Sequence, residues 1–117
     1  MSFRFESLDV YKNSLKISEE IFILVEKLQK NKHYVFADQL LRACLSISNN
    51  IAEGSGSNSD KEFCHYLNIA RRSVFECANM MIILKMKELM TYEEKNNLTA
   101  QFDLLSRKIQ ALRKTLL

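Results

Sequence analysis

The chain reads as all-α, an antiparallel up-down-up-down four-helix bundle, and three observations carry that reading. Large apolar side chains recur every three or four residues in four separate segments, the period of a helix with a buried stripe. Proline is absent, and the two glycines, Gly54 and Gly56, share one short segment. A β-sandwich or barrel needs a turn roughly every 8–12 residues, built from Gly, Pro, Asn and Asp, so an all-β fold lacks its corners here. The links between the periodic segments are short, which forces consecutive helices to run antiparallel. At 117 residues, 47% of them apolar, the sequence reads as a single domain over 1–117, with roughly two-thirds of its unfolded surface buried.

The first helix has two apolar seams side by side. Leu8, Tyr11, Leu15, Ser18, Phe22 and Val25 form one, and Val10, Ile17, Ile21, Leu24 and Leu28 form the other. An arc that wide predicts two neighbours. The second helix runs through Phe36, Leu40, Cys44, Ile47 and Ile51 and ends near Gly54, whose freedom at positive φ suits a helix C-cap. The third, through Phe63, Leu67, Ala70, Val74, Cys77, Met81 and Leu84, meets no breaker for about 30 residues and is expected to be the longest. In the fourth, Leu98, Phe102, Leu105, Ile109, Leu112 and Leu116 step 4-3-4-3-4 along one seam. Ser59-Asp60-Lys61-Glu62 and Thr91-Tyr92-Glu93-Glu94 match the capping box that starts a helix. The expected connectors are Asn31 to Val35, Ser55 to Asn58, and one or two residues near Met90.

Several function classes fall away. The longest apolar runs, Ile21 to Val25 and Met80 to Leu84, are five residues each, against the roughly 20 of a membrane span. Glu6 and Asp9 stand where a secretion signal would place its apolar stretch, so a cytoplasmic protein with no membrane contact is expected. Cys44, Cys64 and Cys77 are odd in number and lack framework spacing, which fits reduced core thiols. Glu62-x-x-His65 has the spacing of a di-iron ligand pair, but the other histidine, His33, has Lys30 three residues before it, and no second pair exists. A Cys/His zinc site would have to draw on three helices with no C-x-x-C pair to start it. On a helix, His65 points about 100° away from Cys64, so no nucleophile and base face each other. Gly54-x-Gly56 follows a helix rather than a strand and lacks a third glycine, so it is no dinucleotide loop. Neither metal nor cofactor is expected, and the chain is read as no enzyme.

What remains is surface. Met80, Met81, Ile82, Ile83 and Leu84 are consecutive and point all round a helix, while a bundle core buries one stripe, so Met80 to Ile83 are expected at a contact between copies. The alternative is a thick core capped by an N-terminal arm carrying Phe3 and Phe5. Helix four closes with Arg107, Lys108, Arg113 and Lys114 and no acid after Asp103, a local +4; Arg71 and Arg72 are a second basic pair. Cations at a helix C-terminus serve its dipole, and they also suit an anionic partner. Gln39, Arg42, Ser46, Asn49 or Asn50, and Glu53 make a polar stripe on helix two, fit for solvent, a subunit contact or a polar ligand. The net charge of +3 permits nucleic acid without demanding it.

Three stretches, Phe5-Glu6-Ser7-Leu8-Asp9-Val10-Tyr11, Gln39-Leu40-Leu41-Arg42-Ala43, and above all Ser46-Ile47-Ser48-Asn49-Asn50-Ile51-Ala52-Glu53-Gly54 followed by Lys61-Glu62-Phe63, resemble the four-helix-bundle family encoded in intervening sequences of large-subunit ribosomal RNA genes. The accessory protein of diversity-generating retroelements looks like a member of the same family. The resemblance implies a barrel-like homopentamer that binds RNA, a ribonucleoprotein or a reverse-transcriptase partner. The family often has Pro-Ser at Ser48-Asn49, so helix two is expected to be straighter here, and a small residue at Arg72, which here adds a positive group. The expectation is thus an oligomeric adaptor that offers Arg42, Arg71, Arg72, Arg107, Lys108, Arg113 and Lys114 to RNA and meets its copies through Met80, Met81, Ile82, Ile83, Asn49 and Asn50. The alternative is a scaffold that docks a partner protein without touching RNA.

Overall fold

Each helix begins and ends for a local reason that the computed structural model, which describes residues 2–117, makes explicit. Four helices follow a short 3₁₀ turn at Arg4–Ser7: α1 over Asp9–Lys30, α2 over Tyr34–Ser55, α3 over Asp60–Met86 and α4 over Tyr92–Leu116. Both capping boxes mark true starts. Ser59 Oγ accepts from the Glu62 amide, and Thr91 forms the full reciprocal pair with Glu94. At about 1.5 Å per residue the 27 residues of α3 span about 40 Å. That matches the 44 Å long axis of the molecule.

The helix ends depart from expectation in an instructive way. α1 and α3 both stop in Schellman turns whose left-handed residues are not glycine but Lys32, at φ 64°, and Glu88, at φ 59°. There the His33 amide donates to Leu28 O at 2.8 Å and the Leu89 amide to Leu84 O at 2.9 Å. The second turn lengthens the third connector beyond the one or two residues expected, and it turns Met90 into the core. Gly54 does not cap α2: it has no positive φ and lies buried within the helix. A Cβ on Gly54 would stand 2.6 Å from Tyr66 Cβ and 2.9 Å from Phe63 Cδ1. The absence of a side chain lets α2 and α3 touch.

The helices pack in chain order around one core, with α3 lying between α2 and α4, and α1 and α4 closing the fourth side along a looser seam. Phe63, Phe102, Ile21, Leu40 and Met81 are among the largest side chains sealed inside. The inner seam of α1, from Val10 to Leu28, is buried throughout. On the other seam Ser18 and Val25 are buried while Leu15 and Phe22 face out. The N-terminal arm folds over one end: Phe3 stacks on Phe5, Phe5 meets Tyr11 edge-on, and the Arg4 guanidinium lies 5.1 Å from the Phe63 ring centre. Buried serines satisfy themselves on their own helices, as when Ser18 Oγ donates to Ser14 O at 2.7 Å.

The apolar run on α3 resolves differently from its expected role. Met80 and Met81 are buried in this chain's own core, so neither is a subunit contact. The reason is that α3 is flanked on two sides, and the arc it buries is correspondingly wide. Ile82 stays exposed, and Ile83 is half-buried.

Two stability changes follow. Gly54→Ala should lower stability by about 1–3 kcal/mol, because the clash falls on Tyr66 Cβ, which cannot move without its backbone. Glu88→Gly and Lys32→Gly should each raise stability by about 0.5–1 kcal/mol by relieving the left-handed strain. Chemical denaturation with helicity as the readout measures both.

Candidate functional site

The seven basic residues singled out in the sequence do not form one patch. Arg42 and Arg72 lie exposed on α2 and α3, and among the described residues neither has an ion-pair partner. Arg71 is half-buried, with its guanidinium 4.9 Å from the centre of the Phe75 ring and its buried Nε lacking a hydrogen-bond partner. The basic end of α4 is largely committed inside the molecule. Arg107 pairs with Asp103 one turn before it, at 3.1 Å. Lys108 reaches across to α1, with Nζ 3.2 Å from Asp9 Oδ2 and 3.5 Å from Asn13 Oδ1. Arg113 donates Nε to Cys64 O at 3.2 Å and Nη1 to Gln110 Oε1 at 2.8 Å, fastening α4 to the first turns of α3. Lys114 alone of the four is exposed without such a partner among the described residues.

The polar stripe of α2 is open along most of its length and tied to α3 at two points. Ser46 Oγ and Ser73 Oγ are 2.8 Å apart, and Gln39 Nε2 donates to Glu76 Oε2 at 2.7 Å, so the stripe zips α2 to α3. Asn50, expected at a subunit contact, is half-buried and gives its amide to Ser46 O and Oγ. Asn49 stays exposed.

Sequence reasoning missed the grooves. One groove, about 500 Å³, sits at the end where the α1–α2 and α3–α4 turns meet, lined by Lys27, His33, Lys85, Glu88, Thr91 and Glu94. Its cations and carboxylates oppose each other, so it favours neither sign. A second groove of about 280 Å³ lies between α3 and α4, where Phe75 and Ile82 stand beside Phe102 and Asp103. Its signal was legible in part, because Phe75 and Ile82 lie off the Phe63–Leu84 seam at a spacing of seven.

Among the described residues no three His, Cys, Asp or Glu side chains converge as metal ligands. No helix among them is long and apolar enough to cross a membrane. Cys44 and Cys77 are sealed in the core. Burial pushes both thiols above their usual range, and for Cys77 the neighbouring Cys44 and Glu76 add to the effect. A raised pKa leaves less thiolate at any given pH. Both should therefore resist a thiol reagent at pH 8 in the folded protein and react at an ordinary rate once it is unfolded; fast native labelling of either would contradict the packing.

The comparisons with known proteins agree with this architecture. The family model described as 23S rRNA-intervening sequence protein matches residues 6–111. A solved structure from Bacteroides thetaiotaomicron, described as a protein with unknown function from the S23 ribosomal protein family, superposes with a TM-score of 0.85. It is 26% identical, over 90% of this chain and 98% of that one. No curated protein matches. A match over nearly the whole length, on four helices in the same order, places this chain in the 23S rRNA-intervening sequence protein family.

Proposed function

We propose that this protein is a non-catalytic adaptor that assembles into a homo-oligomer, five copies by its family resemblance, and binds RNA or a ribonucleoprotein associated with ribosomal RNA. The observation that carries the reading is the family match across residues 6–111. Two features support it. Arg42, Arg72 and Lys114 hold exposed charge that no internal carboxylate neutralises among the described residues. Assembly then multiplies a weak charge: five copies of a +3 chain carry about +15, a field that draws phosphates from within roughly a Debye length, about 8 Å at physiological salt.

A second reading is a scaffold that docks a partner protein, such as a reverse transcriptase, without direct RNA contact. The exposed Phe75 ring and the half-buried Arg71 stacked on it, residue types enriched in protein interfaces, favour it. Capture of a partner before and after nuclease treatment separates the two, since an RNA-mediated partner is lost with the RNA.

The direct test is a mobility shift with structured RNA across a salt series. Binding should weaken linearly in log salt, and Arg42→Glu with Arg72→Glu should cost about tenfold or more and flatten the slope by roughly one contact per residue. No measurable affinity at about 50 mM salt overturns RNA binding.

A further inference from the structure

The end of the bundle formed by the α1–α2 and α3–α4 turns holds the excess charge of the protein. It runs from the last turn of α1 into the first turn of α2 (27–37), and from the last turn of α3 into the first turn of α4 (83–95). Lys27, Lys30, Lys32, Lys85, Lys87 and Lys95 stand there against Glu88, Glu93 and Glu94, while Glu26 and Asp38 lie just below. Six lysines against three carboxylates leave +3, the net charge of the whole chain. The lining of the groove at this end is balanced, so the excess sits on its rim, at Lys30, Lys32, Lys87 and Lys95. None of these four makes an ion pair among the described residues. Glu94 has another task, accepting from the Thr91 amide, and Glu93 beside it opposes the positive end of the α4 dipole.

The same end exposes aromatic rings. Tyr34 opens α2 and Tyr92 opens α4, and they are 57% and 64% exposed. His33 and Thr91, the residues directly before them, both line the groove, so the two tyrosines flank it from different helices. Lys95 Nζ lies 4.9 Å from the centre of the Tyr92 ring. Exposed rings among unpaired cations are the combination that holds unpaired nucleic acid, the ring stacking on a base and the cation meeting the phosphates. In a duplex the base faces are already stacked on one another, so these rings would find nothing to stack on. A protein partner fits this end less well, because lysine is depleted from protein interfaces and no cation in either stretch is an arginine.

We propose that this end binds unpaired RNA, with Tyr34 and Tyr92 each stacking on a base and Lys30, Lys32 and Lys87 contacting phosphates of the same strand. The inference rests on the RNA-binding reading above and deepens it, naming the form of RNA and a contact surface separate from Arg42 and Arg72, which lie in the middle of α2 and α3. Stacking is tolerant of sequence because every base has a π-face, so this end selects for single strands rather than for particular bases.

Fluorescence polarisation tests this with a labelled RNA strand of about twelve nucleotides, free of self-complementarity, and with the same strand annealed to its complement. Tyr34→Leu with Tyr92→Leu should weaken binding of the single strand about tenfold or more and leave the duplex unchanged. Tyr34→Phe with Tyr92→Phe should keep the wild-type affinity, because stacking needs the ring and not the hydroxyl. Lys30→Gln, Lys32→Gln and Lys87→Gln together should flatten the slope of log affinity against log salt by about two. All five positions are exposed, and circular dichroism checks that helicity is native; should the leucine pair lose it, the lysine triple decides. Single-strand binding unchanged by either set, while Arg42→Glu with Arg72→Glu still weakens it, overturns the site at this end and leaves the RNA reading standing. A wild type that binds neither these strands nor structured RNA at about 50 mM salt removes both. A protein captured after nuclease treatment by the wild type and not by the leucine pair also overturns the inference, since this end then holds protein instead.

Discussion

The closeness of α2 and α3 at Gly54 is the constraint on which the rest of the bundle is arranged. With Tyr66 Cβ only 2.6 Å from where a methyl group would begin, the two helices meet backbone against side-chain root. That approach brings Ser46 to Ser73 and Gln39 to Glu76, so polar groups of the two helices bond to each other. Hydrogen bonds of this kind add modest net stability; at the part-buried Ser46–Ser73 pair an unmet partner would cost more, whereas the exposed Gln39–Glu76 pair could exchange with water. Once α3 is fixed against α2, its other flank receives α4, and the core closes over Phe63, Phe102 and Met81.

The same arrangement explains why α1 and α4 depend on particular tethers. They meet along a looser seam, and Lys108, bound to Asp9 and Asn13, spans it at one end. Arg113 ties the far end of α4 to α3 through the Cys64 carbonyl. These side chains give up part of their availability to an outside anion in order to hold the bundle shut. The surface charge of this protein is therefore smaller in effect than its count of basic residues suggests, while Arg42 and Arg72 are exposed without an ion-pair partner among the described residues.

Cys44, Cys64 and Cys77 are buried and the groove at the end of the bundle carries balanced charge, so both proposed readings rest on exposed side chains outside it. The proposed RNA contact follows from family membership, and the alternative protein contact from exposed groups such as Phe75 beside the groove between α3 and α4. The two roles use different groups: phosphate contact needs free cations, while protein contact needs apolar width.

Helix number, order and direction were readable from the amino acids alone because the 3.6-residue period, the two S/T-x-x-E boxes and the short links are local features that act within a few residues. The short central motif was equally legible as a family likeness. The fate of individual side chains was not. Gly54 looked like a cap because glycine most often ends helices, yet its use is set by Tyr66, twelve residues away and on another helix. Met80 and Met81 looked surplus because one buried stripe was assumed, whereas α3 has a neighbour on each side. Lys108, Arg113 and Asn50 looked free because their partners lie on other helices or a turn away, and periodicity carries no information about which neighbour a polar tip will find. Repeating local preference decides where helices form; the distances between helices, settled only when the chain has packed, decide which faces are left to meet anything else.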